Sequence, residues 1–211
     1  MPRNRRFRNR KDAGDKLAAE LDDRQVEADV VLAIPRGGLP LGRAVADALE
    51  APLDVVVAKK IGAPGNPEYA IGAVASDGSV WRNEDAFTRT GADDEYFERK
   101  TKEEAKNARQ KADRYRGDQP DLDLSGKTVV VVDDGVATGS TMRACLGKLR
   151  SEDVGRLVVA VPVGPPSTID ELEADEVVCL ETPRSFRGVG QFYDRFDQVS
   201  DEEAIAYLQE K

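Results

Sequence analysis

A stretch near the middle of the chain, residues 128–141, joins an apolar run to a loop of small residues, with two carboxylates between them. The run reads Thr-Val-Val-Val-Val, and an unbroken β-branched segment is typical of a strand that is buried on both faces of a parallel sheet. Asp133 and Asp134 follow it, and after the loop comes a segment with helical periodicity. In open α/β sheets, ligands bind just beyond the carboxyl ends of the strands. The stretch therefore predicts a parallel α/β fold with a ligand site at these two carboxylates.

The loop after the carboxylates has the composition of an anion site. Glycine and hydroxyl residues that open a helix offer free N–H groups and O–H donors to a phosphate. A ligand that matches both the loop and the carboxylates must carry sugar-like hydroxyls, or a cation, beside a phosphate. The plainer alternative is a strand-to-helix turn capped by Thr138 or Ser140, which leaves the paired carboxylates unexplained. A Walker A loop is excluded, because no Gly-Lys-Ser/Thr follows the glycines.

The order Asp-Asp-x-x-Ala-Thr-Gly-x-Thr resembles the phosphoribosyl-pyrophosphate signature of type I phosphoribosyltransferases, especially adenine phosphoribosyltransferases. The resemblance implies an α/β fold in which helices flank a central parallel sheet, with a mobile lid hairpin and a small C-terminal hood. It implies that Asp133 and Asp134 hold the ribose 2′- and 3′-hydroxyls. Around the 5′-phosphate it places Ala137, Thr138, Gly139, Ser140 and Thr141. Because hypoxanthine–guanine enzymes have an aspartate at the alanine position, the sequence counts against a 6-oxopurine substrate and leaves the acceptor base open.

A second candidate loop, residues 35–40, follows the strand predicted over residues 30–34. Gly37 and Gly38 would let the backbone approach an anion closely, and Arg36 offers a fork of donors to phosphate oxygens. Gly-Gly before a helix is commonly only turn chemistry. Beside the central stretch, however, the loop resembles the pyrophosphate loop of the same family.

Lys59 and Lys60 follow a strand predicted over residues 53–58. Adjacent lysines are usually solvated, but the resemblance places a basic residue here against the pyrophosphate. The next residues, 61–82, predict a hairpin. It is either an addition beside the sheet with no role in binding or, as the resemblance implies, the family's mobile lid. A lid would keep water from a developing ribosyl cation, and Glu68 is its candidate substrate contact.

The C-terminal region, about 182–198, concentrates aromatic residues in a chain that has few. Phe186, Phe192 and Tyr193 pack in the core or, as the resemblance implies for a hood, stack on the base. The charged segment 93–116 predicts a long helix whose thin apolar stripe suits a surface or dimer contact.

Charge and composition exclude some classes of mechanism. The chain has no histidine, which rules out a histidine base or a His-ligated metal. Its net charge of −9 argues against nucleic acid as the main partner. The basic run at residues 3–11 is a nucleic-acid arm or, more in keeping with that charge, a solvated or subunit-contacting lead-in to a helix over residues 12–21. No apolar run approaches about 18 residues, so we expect no membrane span and a cytoplasmic protein.

Together these patterns predict one α/β domain, residues 1–211, and the resemblance implies that it is a phosphoribosyltransferase domain. The resemblance implies transfer of ribose 5-phosphate from phosphoribosyl pyrophosphate to a nitrogenous base, in nucleotide metabolism, with Mg²⁺ carried by the substrate and with a homodimeric assembly. The catalytic candidates are Asp133, Asp134, Arg36 and Lys60. A non-catalytic sensor of phosphoribosyl pyrophosphate, and a nucleotide hydrolase or phosphorylase that uses the same pocket, are the alternatives.

Overall fold

The structure is a computed structural model that describes residues 7–117 and 122–210. Part of the basic N-terminal run, residues 3–6, lies outside the described residues, whereas Arg8, Arg10 and Lys11 lie within them. None of the described helices is long and apolar enough to cross a bilayer.

A five-stranded parallel sheet forms the centre of the fold, in the order β2-β1-β6-β7-β8. Its strands are β1 Val30–Ala33, β2 Leu53–Val55, β6 Thr128–Val132, β7 Arg156–Val163 and β8 Glu176–Glu181. The predicted valine strand is thus the central one, and it is buried on both faces. Val130 and Val132 pack into one apolar cluster, and Val129 and Val131 pack into the other. The predicted fold class, α/β with a central parallel sheet flanked by helices, is confirmed.

The helices carry local capping signals. They are α1 Arg10–Asp23, α2 Leu39–Ala48, α3 Glu84–Thr90, α4 Asp94–Arg116, α5 Ser140–Ser151, α6 Pro166–Asp170 and α7 Asp201–Gln209. They cover both faces of this sheet, except α3, which packs against the hairpin strands of residues 58–82. The Asp93 side chain caps the long helix α4 by accepting from the Tyr96 N–H. Ser200 and Glu203 form a reciprocal capping box at α7.

A separate three-stranded antiparallel sheet contains the predicted hairpin. Its strands are β3 Ala58–Ala63, β4 Asn66–Ala75 and β5 Val80–Arg82. The strand predicted over residues 53–58 is therefore too long: β2 ends at Val55, and Lys59 and Lys60 lie in β3 instead. Ile61, Ile71 and Phe97 lie in the apolar cluster under this sheet.

Candidate active site

The loop between β6 and α5 encloses a small cavity at the carboxyl end of the central strand. The Val136 N–H donates to the Val163 carbonyl at 2.9 Å, which ties the loop to the end of β7. Gly139, at φ +78, takes the left-handed conformation that favours glycine and directly precedes α5. The cavity measures about 140 Å³ and is lined by Asp133 and residues 135–142.

The backbone of this loop has occupied carbonyls and unpaired amides among the described residues. The Ala137 carbonyl accepts from Thr168 Oγ1 at 2.8 Å, and the Thr138 carbonyl accepts from Arg143 Nη1 at 2.8 Å. None of the N–H groups of residues 137–141 donates a hydrogen bond within residues 7–117 and 122–210. Because these two carbonyls are occupied and the amides are not, the five residues can cradle a phosphate.

The two adjacent carboxylates have different surroundings. Asp133 lines the loop cavity, and its Oδ1 accepts from the Asp134 N–H at 2.8 Å. Burial, together with the neighbouring Asp134, raises the pKa of Asp133 well above its usual range. Asp134 does not line that cavity. The structure therefore brings only the first of the two carboxylates to the cavity formed by the loop.

Asp134 instead joins the start of α1 to the loop after β1. Its Oδ2 accepts from Arg10 Nε and lies in an ion pair with Arg10 Nη2, both at 2.9 Å. A Cβ atom on Gly37 would lie 2.0 Å from the same oxygen, so glycine is required for this close approach. Burial raises the pKa of Asp134, and Arg10 opposes that effect.

The loop after β1 carries the predicted donors towards a second, cationic cavity. Gly38 packs so closely that a Cβ atom would lie 2.7 Å from the Val132 carbonyl and 3.1 Å from the Cα of Asp133. The peptide bond between Pro35 and Arg36 is cis. Arg36 and Lys59 both line the second cavity, which measures about 470 Å³. The loop after β1 thus packs against Asp133 of the first cavity and supplies Arg36 to the lining of the second.

Lys60 and Glu68 do not line either of these cavities. Side chains alternate between the two faces of a strand, so Lys60 points away from the side that Lys59 takes. Lys60 Nζ pairs with Glu68 Oε2 across the hairpin at 2.8 Å, and the Glu68 side chain is 89% exposed. Both residues thus lie outside these two cavities, and their contact with substrate stays a prediction.

The three aromatic residues considered for contact with the base differ in burial. Phe192 and Tyr193 are only 2% and 4% exposed. Tyr193 packs against Phe7, with ring centroids 5.4 Å apart, and its hydroxyl donates to the Asp134 carbonyl at 2.7 Å. These two rings belong to the core. Phe186 is half-buried and stacks on Phe192, with ring centroids 5.5 Å apart. Its partly exposed ring is therefore still available to stack on a base.

Several side chains at these loops were not singled out by the sequence analysis. They are Arg10 of α1, Lys111 of α4, Arg143 of α5 and Thr168 of α6. Arg10, Lys111 and Thr168 each contact a loop residue at least 31 positions away in the sequence. Arg143 lies only five residues from its partner, Thr138. Only for Arg143 did the local sequence hold a usable signal, since a side chain in the first turn of α5 can reach back to its own loop.

Comparison with known proteins points to one family. The family model described as "Phosphoribosyl transferase domain" matches residues 6–196. Two curated Mycobacterium tuberculosis proteins, from strains CDC 1551 and H37Rv, each named a "putative phosphoribosyl transferase", are 41% identical over 204 residues. That match covers 96% of this chain and 46% of each relative, so the chain spans about half the length of the curated relatives it matches.

A solved structure agrees over nearly the full length. The crystal structure of TT1426 from Thermus thermophilus is 45% identical and superposes with a TM-score of 0.81. The match covers 96% of this chain and 97% of that one.

Proposed function

The chain belongs to the phosphoribosyl transferase domain family, and from that premise we propose that it transfers ribose 5-phosphate from phosphoribosyl pyrophosphate to a nitrogenous base. The observation that carries the proposal is the shared cavity of Asp133 and the unpaired amides of residues 137–141. A carboxylate accepts from sugar hydroxyls, whereas amides at a helix start bind phosphate. A ribose with a 5′-phosphate carries both groups on one molecule.

In the proposed reaction, the bond from ribose C1 to the diphosphate oxygen breaks, and pyrophosphate leaves with the electron pair. A nitrogen of the base then supplies the pair for the new C1–N bond, and the proton that this nitrogen carried passes to the released pyrophosphate or to water. Positive charge develops on the ribose ring and negative charge on the leaving group. Asp133 lies on the side of the cation, and Arg36 and Lys59 lie on the side of the anion. This preset field lowers the barrier, and binding of the 5′-phosphate positions the ribose.

We propose that Asp134 acts through position rather than through direct contact. Its pairing with Arg10 and its contact with Gly37 hold the two substrate loops against each other. Asp133 is then the carboxylate left for the ribose hydroxyls.

Magnesium is proposed as a partner of the substrate rather than of a protein cage. Within residues 7–117 and 122–210, no group of three or more His, Cys, Asp or Glu side chains could hold a metal. Mg²⁺ keeps several waters and commonly binds through substrate phosphates, which fits a site with a single cavity-lining carboxylate. Asp133 would hold one of its waters, and the ion would neutralise the charge on the diphosphate.

Closure of residues 61–82 over the substrate, a homodimeric assembly and a cytoplasmic location stay predictions from the family resemblance. The acceptor base is equally open, and Phe186 is the aromatic candidate for contact with it.

The test is turnover of phosphoribosyl pyrophosphate with a panel of purine, pyrimidine and other nitrogenous bases, followed by mass spectrometry of the products. We expect a base-dependent nucleotide product together with pyrophosphate, and a strong loss of turnover in Asp133→Asn. Asp22→Asn, an exposed carboxylate on α1, is the matched control. Binding without pyrophosphate release would instead identify a sensor, and ribose phosphate formed without base would identify a hydrolase; either result refutes the proposal.

A further inference from the structure

The second cavity is strongly cationic. It is lined by Arg36, Lys59, Asn107, Gln110, Lys111, Arg114, Tyr115 and Asp201. Four of these side chains are cations and one is a carboxylate. Two of the cations, Lys111 and Arg114, come from α4, a helix that has no part in the two signature loops.

Lys111 connects this cavity to the loop after β1. Its Nζ donates to the Pro35 carbonyl at 3.2 Å, next to Arg36. Burial, and then the charges of Lys59 and Arg36, lower the pKa of Lys111 to about 8, while Asp201 and Asp133 act in the opposite direction. The cavity therefore holds more positive charge than its own carboxylate balances.

Asp201, the first residue of α7, is the internal anion of the cavity. Its carboxylate accepts from the Tyr115 hydroxyl at 2.7 Å and pairs with Arg114 Nη1 at 2.7 Å. Arg36 Nη1 lies 3.7 Å from the same carboxylate. Asp201 thus occupies the position in which a negatively charged ligand group would contact Arg114 of α4 and Arg36 of the loop.

We propose that Lys111 and Arg114 bind one phosphate of a diphosphate ligand whose other phosphate lies against Arg36 and Lys59, and that Asp201 competes with this ligand for the same cations. The inference rests on the proposed function, because the diphosphate is then the leaving group of the transfer reaction. It extends that site to a helix outside the signature loops, and it makes α7 an element that weakens diphosphate binding.

The test is calorimetric titration of the full chain with magnesium pyrophosphate at pH 8, compared with inorganic phosphate. We expect pyrophosphate to bind more tightly than phosphate. Lys111→Met and Arg114→Gln should each weaken pyrophosphate binding by about 10-fold or more, as expected for a lost charge-assisted contact. Lys102→Met, which removes an exposed lysine from the same helix, is the control and should leave the affinity unchanged. Arg114 is 58% exposed, so its replacement is a mild structural change and a fold defect does not obscure the result.

Asp201→Asn changes the charge in the opposite direction. The amide keeps a hydrogen-bond acceptor for Tyr115 but removes the negative charge, so pyrophosphate should bind about two- to fivefold more tightly. Pyrophosphate should also draw a proton onto Lys111 near pH 8, which titrations in buffers of different ionisation enthalpy would show. Lys111→Met should abolish that uptake, an effect that a purely structural role would not produce.

Three results would overturn the inference: equal affinity for phosphate and pyrophosphate, wild-type affinity in both α4 variants, or weaker binding in Asp201→Asn. Failure of the proposed function would look different. Intact, α4-dependent pyrophosphate binding without ribosyl transfer would refute the transferase and leave this site. Transfer activity together with pyrophosphate binding that neither α4 variant changes would refute this site and leave the proposed transferase function.

Discussion

The ion pair between Arg10 and Asp134 should be the most sensitive structural link between the start of α1 and the loops after β1 and β6. Arg10 places two nitrogens 2.9 Å from Asp134 Oδ2, and the two side chains are only 12% and 15% exposed. Removing one partner of a buried pair leaves an uncompensated charge and costs roughly 3–5 kcal/mol. The guanidinium also lies 3.9 Å from the Phe196 ring centroid and donates to the Asp197 carbonyl, and these contacts add to the loss. We therefore expect Arg10→Met to lower the free energy of unfolding by about 3–5 kcal/mol at pH 8.

The loss of unfolding free energy caused by Arg10→Met should be larger at high pH than at low pH. Burial raises the pKa of Asp134 even when Arg10 opposes it, and without Arg10 the pKa rises further. A carboxyl group whose folded pKa is raised contributes stability that is fully present below its unfolded pKa and is lost as pH rises through the folded pKa. The difference in unfolding free energy between wild type and Arg10→Met should therefore be smaller at pH 5.5 than at pH 8.

Urea denaturation at the two pH values measures both effects. Arg24→Met, just after the end of α1, removes partly exposed ion pairs with Glu20 and Glu176 and should cost less than about 1 kcal/mol. In the Asp134→Asn background, Arg10→Met should cost far less than in wild type, since no buried charge is left behind. A loss below about 1 kcal/mol at pH 8, or one that is equal at both pH values, would refute the account of this pair.

Three further predictions follow from the same contacts. Gly37→Ala should destabilise the fold by about 1–3 kcal/mol and raise KM for phosphoribosyl pyrophosphate, because its Cβ would lie 2.0 Å from Asp134 Oδ2. In the same urea and kinetic assays, the control Gly147→Ala should be neutral or stabilising, because its Cβ meets no atom within 4 Å. Arg143→Gln removes the bond to the Thr138 carbonyl and should raise that KM by about 10-fold with a smaller effect on kcat, whereas an unchanged KM would contradict the role given to the loop carbonyls. The free energy of unfolding should rise with pH above about 8, because folded Lys111 releases a proton that the unfolded chain retains; the rise should be missing in Lys111→Met.

The sequence predicted those features whose causes are local. The valine strand, the loop and the start of α5 lie within one short stretch, so pattern alone predicts this strand-loop-helix unit, whose loop is the proposed phosphate cradle. The long helix predicted over residues 93–116 matches α4, because Asp93 caps its start and Gly117, at φ +59, follows its last residue.

Features that depend on distant partners could not be predicted in the same way. The direction of the Asp134 side chain depends on Arg10, 124 residues earlier. The strand predicted as far as Ala58 ends at Val55 because the chain there leaves the parallel sheet for the antiparallel one. That change of sheet also decides that Lys59, and not Lys60, faces the cationic cavity.

The central claim is that Asp133 and the amides of residues 137–141 hold one phosphorylated sugar between them. The most direct test is a titration of the isotope-labelled chain with ribose 5-phosphate, followed by the amide resonances in NMR at pH 8. The account predicts that the amides of residues 137–141 shift most, and that Asp133→Asn weakens the affinity by about 10-fold or more while Asp22→Asn does not. Shifts confined to other parts of the chain, or equal affinity in Asp133→Asn and wild type, would contradict it.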